Sequence, residues 1–120
     1  MRIAVSSQGV DANSKVDPRF GRAHCFLIFD TSDESYEVVK NDQNVNAAQG
    51  AGIQAAENVV GKNVDIVVAG NFGPKAFQAL QAAGVKAALW SDGTVSQVVE
   101  LARNNKLDLC DKASTESHWM

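Results

Sequence analysis

A three-layer α/β fold around a five-stranded mixed sheet is the architecture predicted for this chain of 120 residues, and three observations carry it. Two short apolar runs in the first third are joined by turn residues, as in a hairpin. The second half alternates strand-length apolar runs with stretches of helical period. The run at 64–69 (Val-Asp-Ile-Val-Val-Ala) is apolar almost without alternation, as expected of a parallel strand covered on both faces.

The elements follow in order. Residues 2–6 form a first strand, and the polar stretch 7–21 is a loop long enough to be functional. Residues 24–30 and 36–40 are strands two and three, paired across the turn residues 31–35. A helix over 47–60 follows from the spacing of Ala48, Ala51, Ala55 and Val59, widened by Ile53, Ala56 and Val60, with Asn46 as a candidate N-cap and Gly61 as the stop. Strand four at 64–69 leads to a helix over 74–83 that Pro74 opens and Gly84 closes. After strand five at 85–90, Thr94 and Gln97 have capping-box spacing at the head of a last helix ending near Asn104.

Residues 1–104 are thus one α/β domain, and the mostly polar segment 105–120 is expected as a partly mobile tail. A hairpin followed by two right-handed crossovers orders the strands 3-2-1-4-5, with strand 2 antiparallel and helices on both faces. This is a ribonuclease H-like arrangement.

Composition narrows the function. A chain 45% hydrophobic and 21% charged is that of a soluble globular domain. No apolar run approaches the ~20 residues of a membrane span, and the Met-Arg-Ile-Ala-Val start reads as a strand, so a cytoplasmic location without membrane partners is expected. A net charge of −3 provides no general attraction for nucleic acid. Cys25 and Cys110, far apart and with only His24 and His118 to join them, cannot assemble a structural zinc or four-cysteine iron–sulfur site within one chain. A metal here must bring its own ligands or be shared between chains.

An anion site is indicated at 67–75, Val-Val-Ala-Gly-Asn-Phe-Gly-Pro-Lys, where a strand turns into a helix whose first-turn amides and positive dipole end lie beside Lys75. The topology brings the loop after strand 1, the start of strand 2, the head of the first helix and the turns after strands 4 and 5 to one edge. Arg22, Gln49, Asn71, Lys75 and Asp92 should share that neighbourhood. Arg19, His24, Gly50, Gly52 and Gly73 complete the candidate binding set.

Each has a plainer explanation. Gly-Pro starts many helices that bind nothing, and Gly50 and Gly52 allow helix and sheet to pack closely. Arg22 has Asp11 and Asp17 as salt-bridge candidates within its own loop; Arg19 reads as solvated. His24 reads as structural or exposed, and Cys25, on the opposite face of the pleat, as a buried small residue. Trp90 is expected to pack at the end of strand 5.

Three patterns stand together: Asp17-Pro18-Arg19-Phe20-Gly21-Arg22-Ala23, Gly50-Ala51-Gly52-Ile53-Gln54-Ala55-Ala56 and Gly73-Pro74-Lys75-Ala76-Phe77-Gln78-Ala79-Leu80. In this order and spacing the chain resembles the dinitrogenase iron–molybdenum cofactor biosynthesis family up to about Asn104. Within it the similarity is greatest to the orange-protein branch of sulfate-reducing bacteria. The resemblance implies non-covalent carriage of a metal cluster, either a molybdenum–copper sulfide cluster or an iron–molybdenum cofactor precursor, for cofactor assembly or within a larger complex. It also implies partner proteins such as nucleotide-binding ATPases. Many members have histidine before Gly-Ala-Gly where this chain has Gln49, so histidine ligation there is not implied.

A thiometallate cluster suits such a host, because it is a soft anion that carries its own sulfides and needs only amides, cations and apolar surface. No catalysis is expected. The enzymatic alternative for this fold, a two-metal nuclease, needs clustered carboxylates, and strand 1 (Arg-Ile-Ala-Val-Ser) has none. A phosphate- or nucleotide-binding regulatory module using the same helix N-terminus is the other alternative, although both common glycine-rich phosphate motifs are absent. A Ser-His-Asp hydrolase lacks a nucleophile elbow.

Overall fold

The structure, a computed structural model, describes residues 1–33, 35–41 and 50–110. Five strands, β1 (Arg2–Ser7), β2 (Cys25–Asp30), β3 (Ser35–Lys40), β4 (Ile66–Ala69) and β5 (Lys86–Leu89), form one sheet in the order β3-β2-β1-β4-β5. β2 runs antiparallel to both neighbours, whereas β1, β4 and β5 are parallel. Three helices lie among the described residues: α1 (Ala51–Val60), α2 (Pro74–Ala82) and α3 (Val95–Arg103).

The pleat divides the core into two layers. Ala4, Phe26, Ile28 and Val67 face α1 and α2, burying Ala55, Ala56, Val59, Phe77 and Leu80 against them. Ile3, Val5, Leu27 and Val68 face the other way, toward Val95, Val98, Val99 and Ala102 of α3. β1 and β4 are therefore apolar on both sides because both sides are covered, and each buried Val, Leu, Ile or Phe contributes about 1.5–3 kcal/mol.

Most boundaries fall within two residues of the sequence pattern. Ile53 departs from the expected helix face and is 38% exposed, because α1 turns Ala51, Ala55, Ala56 and Val59 inward. The start of the predicted first helix, with Ala48, Asn46 and Gln49, lies outside the described residues. Trp90 is not packed away: it is 37% exposed, and its indole N–H donates to the Asp92 carbonyl at 2.9 Å. Cys25 is buried as expected, its thiol donating to the Gly9 carbonyl at 3.1 Å.

Polar side chains shape the turns. Asp30 accepts from both the hydroxyl and the amide of Ser32, at 2.6 and 3.0 Å, and Asp33 accepts in the same way from Ser35. Chiefly the serine hydroxyls, and then the amides, hold both carboxyls below the usual carboxylate range. The capping box of α3 is complete, with Gln97 N–H donating to the Thr94 hydroxyl at 3.4 Å and Thr94 N–H donating to the Gln97 side chain at 2.9 Å. Beyond α3 the chain returns to the sheet: Leu109 bridges to Ala88, and Cys110 N–H donates to the Ala87 carbonyl at 2.8 Å. Residues 111–120 lie outside the described residues. Among those described, no helix is long and apolar enough to cross a membrane.

Candidate functional site

The loop after β1 is strapped across the sheet edge at several points. Asp17 N–H donates to the Ser6 carbonyl at 2.8 Å, Arg19 pairs with Asn71 in a parallel bridge, and Phe20 N–H donates to the Asn71 carbonyl at 3.4 Å. Phe20 drives its ring into the core, with centroids 5.2 Å from Phe26 and 5.1 Å from Phe72. Burying this aromatic side chain is what holds the loop down.

Close backbone contacts complete the junction. A Cβ added to Gly70 would fall 2.7 Å from Pro18 Cα and 2.9 Å from the Pro18 carbonyl oxygen, so the loop and the turn after β4 touch main chain to main chain. Gly70→Ala is therefore expected to cost about 1–3 kcal/mol through forced displacement of the loop. Chemical denaturation of the variant checks this, and an unchanged stability would show that the contact can relax. Similarly, a Cβ on Gly21 would lie 3.0 Å from the Cα and N of Gly52, and one on Gly52 would lie 3.1 Å from Ala76 Cβ.

These contacts bring the first turns of α1 and α2 to the same place. α1 starts from Gly50 at φ 80°, a left-handed conformation in which glycine has no Cβ penalty, and α2 starts from Gly73 followed by Pro74. Neither N-cap supplies a side-chain acceptor. The first i→i−4 bonds are Gln54 to Gly50 at 3.0 Å and Phe77 to Gly73 at 3.0 Å, so the amides of residues 51–53 and of Lys75 and Ala76 precede them. α3 differs: its first-turn amides go to loop carbonyls, Val95 to Ser14 and Ser96 to Ala12, both at 2.9 Å.

A cleft of about 370 Å³ lies at this junction, lined by Arg19, Gly21, Arg22, Gly50, Gly52, Asn71 and Gly73, together with Phe20, Ala51 and Ala76. Six of these lining positions belong to the candidate set read from the sequence: Arg19, Arg22, Gly50, Gly52, Asn71 and Gly73. Lys75 is exposed at the second position of α2, next to Ala76 of the lining, but it is not itself part of the wall. His24 is exposed and faces a neighbouring cleft of about 370 Å³ with Gln8, Asp17, Pro18 and Arg19, so Arg19 is common to both. Gln49 lies outside the described residues. Asp92 is elsewhere, on a groove beside α3 with Trp90 and Gln97, because the turn after β5 leads to the opposite face of the sheet.

Three residues that support the site lie outside the candidate binding set. Asp17, 2% exposed, accepts from Arg19 N–H at 2.9 Å and from Arg19 Nε at 3.4 Å, so the ion pair within the loop belongs to Arg19, which is not merely solvated. Asn41 is fully buried and donates to the carbonyls of Gly21 and Ala23 at 3.2 and 2.9 Å while accepting from Asn58 of α1 at 3.1 Å. It ties the back of the loop to the helix, and only an asparagine directly after a strand hinted at it. Phe20 sits within the first quoted pattern, but its burial between two other rings is not a local signal. Among the described residues, no group of three or more His, Cys, Asp or Glu is arranged to hold a metal ion.

Fold and site together define a small α/β domain whose sheet edge carries a cleft between two helix starts, lined by two arginines. Residues 1–105 match the family model described as dinitrogenase iron-molybdenum cofactor, and the chain belongs to that family. It is similar to the apo form of the orange protein from Desulfovibrio gigas, with a TM-score of 0.92 and 36% identity, covering 95% of this chain and 96% of that one. A putative NifB protein from Thermotoga is similar over 99% of this chain and 98% of its own, with a TM-score of 0.81 and 34% identity. An uncharacterized protein of Methanocaldococcus jannaschii is 23% identical over 99 residues, spanning 80% of this chain and 83% of its own. Family and neighbours associate this chain with binding of a metal cofactor.

Proposed function

We propose that this protein binds a molybdenum-containing sulfide cluster without covalent attachment, in the cleft between residues 19–22, 50–52 and 71–76, and carries it as cargo and not as a catalytic group. The observation that supports this most is the convergence of two helix starts lacking side-chain caps on one cleft that Arg19 and Arg22 line. Each helix presents about half a positive charge at its start, and the amides there can donate to sulfide. The cluster's own sulfides complete its coordination, so the host needs no thiolate or imidazole. Phe20, Ala51 and Ala76, all nearly buried, close the floor of the cleft.

Two cargoes fit the reading, a molybdenum–copper sulfide cluster and an iron–molybdenum cofactor precursor. Handover to a partner protein, such as a nucleotide-binding ATPase, belongs to the same role. Titrating the apo-protein with tetrathiomolybdate, with and without copper(I), followed by desalting and metal analysis, tests it. Retained charge-transfer bands with molybdenum and copper in fixed ratio are expected for the first cargo. Retention only with iron–molybdenum precursors would select the second. If no cluster stays bound while inorganic phosphate or a nucleotide does, the cleft belongs to a phosphate-binding module instead.

A further inference from the structure

We infer that Asp17 is a built-in competitor for Arg19 and so sets how tightly the cleft holds its anion, an inference that rests on the cleft being the cargo site proposed above. A carboxylate beside an anion cleft works against binding, so its presence needs a reason. The local turn does not provide one. Arg19 N–H needs only an acceptor oxygen two residues back, at 2.9 Å, and the amide oxygen of asparagine would serve equally.

What the negative charge adds is the ionic attraction in the second contact that the same oxygen makes, to Arg19 Nε at 3.4 Å. The two partners are unequally placed: the Asp17 side chain is 3% exposed and fixed, whereas that of Arg19 is 56% exposed and able to swing. Arg19 also lines both clefts, one with Arg22 and the helix starts, the other with Asp17 and His24. The guanidinium thus has two destinations, and Asp17 holds it toward one of them. An incoming thiometallate must draw Arg19 away from Asp17, or share it, and its affinity falls accordingly. For a carrier, whose cargo must leave again, such a restraint favours release.

Asp17→Asn separates the charge from the turn. In tetrathiomolybdate titrations at low ionic strength, the variant is expected to bind roughly three- to tenfold more tightly than wild type, the range expected from freeing a half-exposed ion pair and removing one like charge. In an Arg19→Ala background the same substitution should change affinity less than twofold. Asp17→Ser, which also keeps a turn-forming oxygen, is the second variant should the first fold poorly. Equal or weaker binding by the folded Asp17 variants would overturn the inference, as would an equal gain without Arg19, which would reduce Asp17 to a bystander charge. If wild type itself takes up no tetrathiomolybdate, the site reading fails. If it binds and the Asp17 variants bind no tighter, only the competitor role falls.

Discussion

Arg22→Glu is expected to lower tetrathiomolybdate affinity by about two orders of magnitude, since it removes a charge-assisted contact of about 1.5–3 kcal/mol and puts a like charge in its place. Arg22 is half-buried in the cleft wall beside the starts of α1 and α2, where screening by water is reduced. Lys75→Glu should cost less, about tenfold, and the loss should shrink as salt is added, because Lys75 is exposed and acts from the rim. The two together should abolish binding. Thermal unfolding run in parallel would separate loss of the site from loss of the fold. If both variants stay folded and bind like wild type, the cluster sits elsewhere on the molecule.

The second large effect concerns stability. Phe20→Ala should destabilise the domain by about 3–5 kcal/mol, in the range for deleting a buried phenyl group whose cavity the surroundings cannot fill. Phe20 is 1% exposed and touches the rings of Phe26 on β2 and Phe72 beyond β4, so its loss opens the core where loop and sheet meet. For a domain of this length the midpoint should fall by roughly 10–20 °C. Binding should weaken even below that midpoint, because the loop bearing Arg19 and Arg22 would lose its anchor. Calorimetry with a binding titration at low temperature checks both parts. A small shift in midpoint would mean that the loop is held mainly by Asn41 and by the Pro18–Gly70 contact.

Much of this arrangement is visible in the residues because it follows from local chemistry. β4 reads as doubly covered from its unbroken apolar run, and the cap of α3 reads from Thr94 and Gln97 three positions apart; both need only neighbouring residues to be decided. Strand order follows as well, since a hairpin and two right-handed crossovers leave few alternatives. The glycines announce close approach or unusual backbone, though not which: Gly50 takes the left-handed conformation, whereas Gly52 and Gly70 are contact points.

The partners of the site residues are a different matter. Which neighbours Asn41 reaches, and that His24 and Asp92 turn to other clefts, are settled by contacts between segments far apart in the chain, whereas Asp17 meets Arg19 only two residues on. Pattern and propensity along the chain thus determined the layers, the order of the strands and the identity of the cleft-forming turns, because burial and capping act over a few residues. The meeting of the 17–22 loop with the starts of α1 and α2 was decided on folding, because main-chain contacts such as Pro18 on Gly70 exist only once the sheet has brought β1 and β4 side by side.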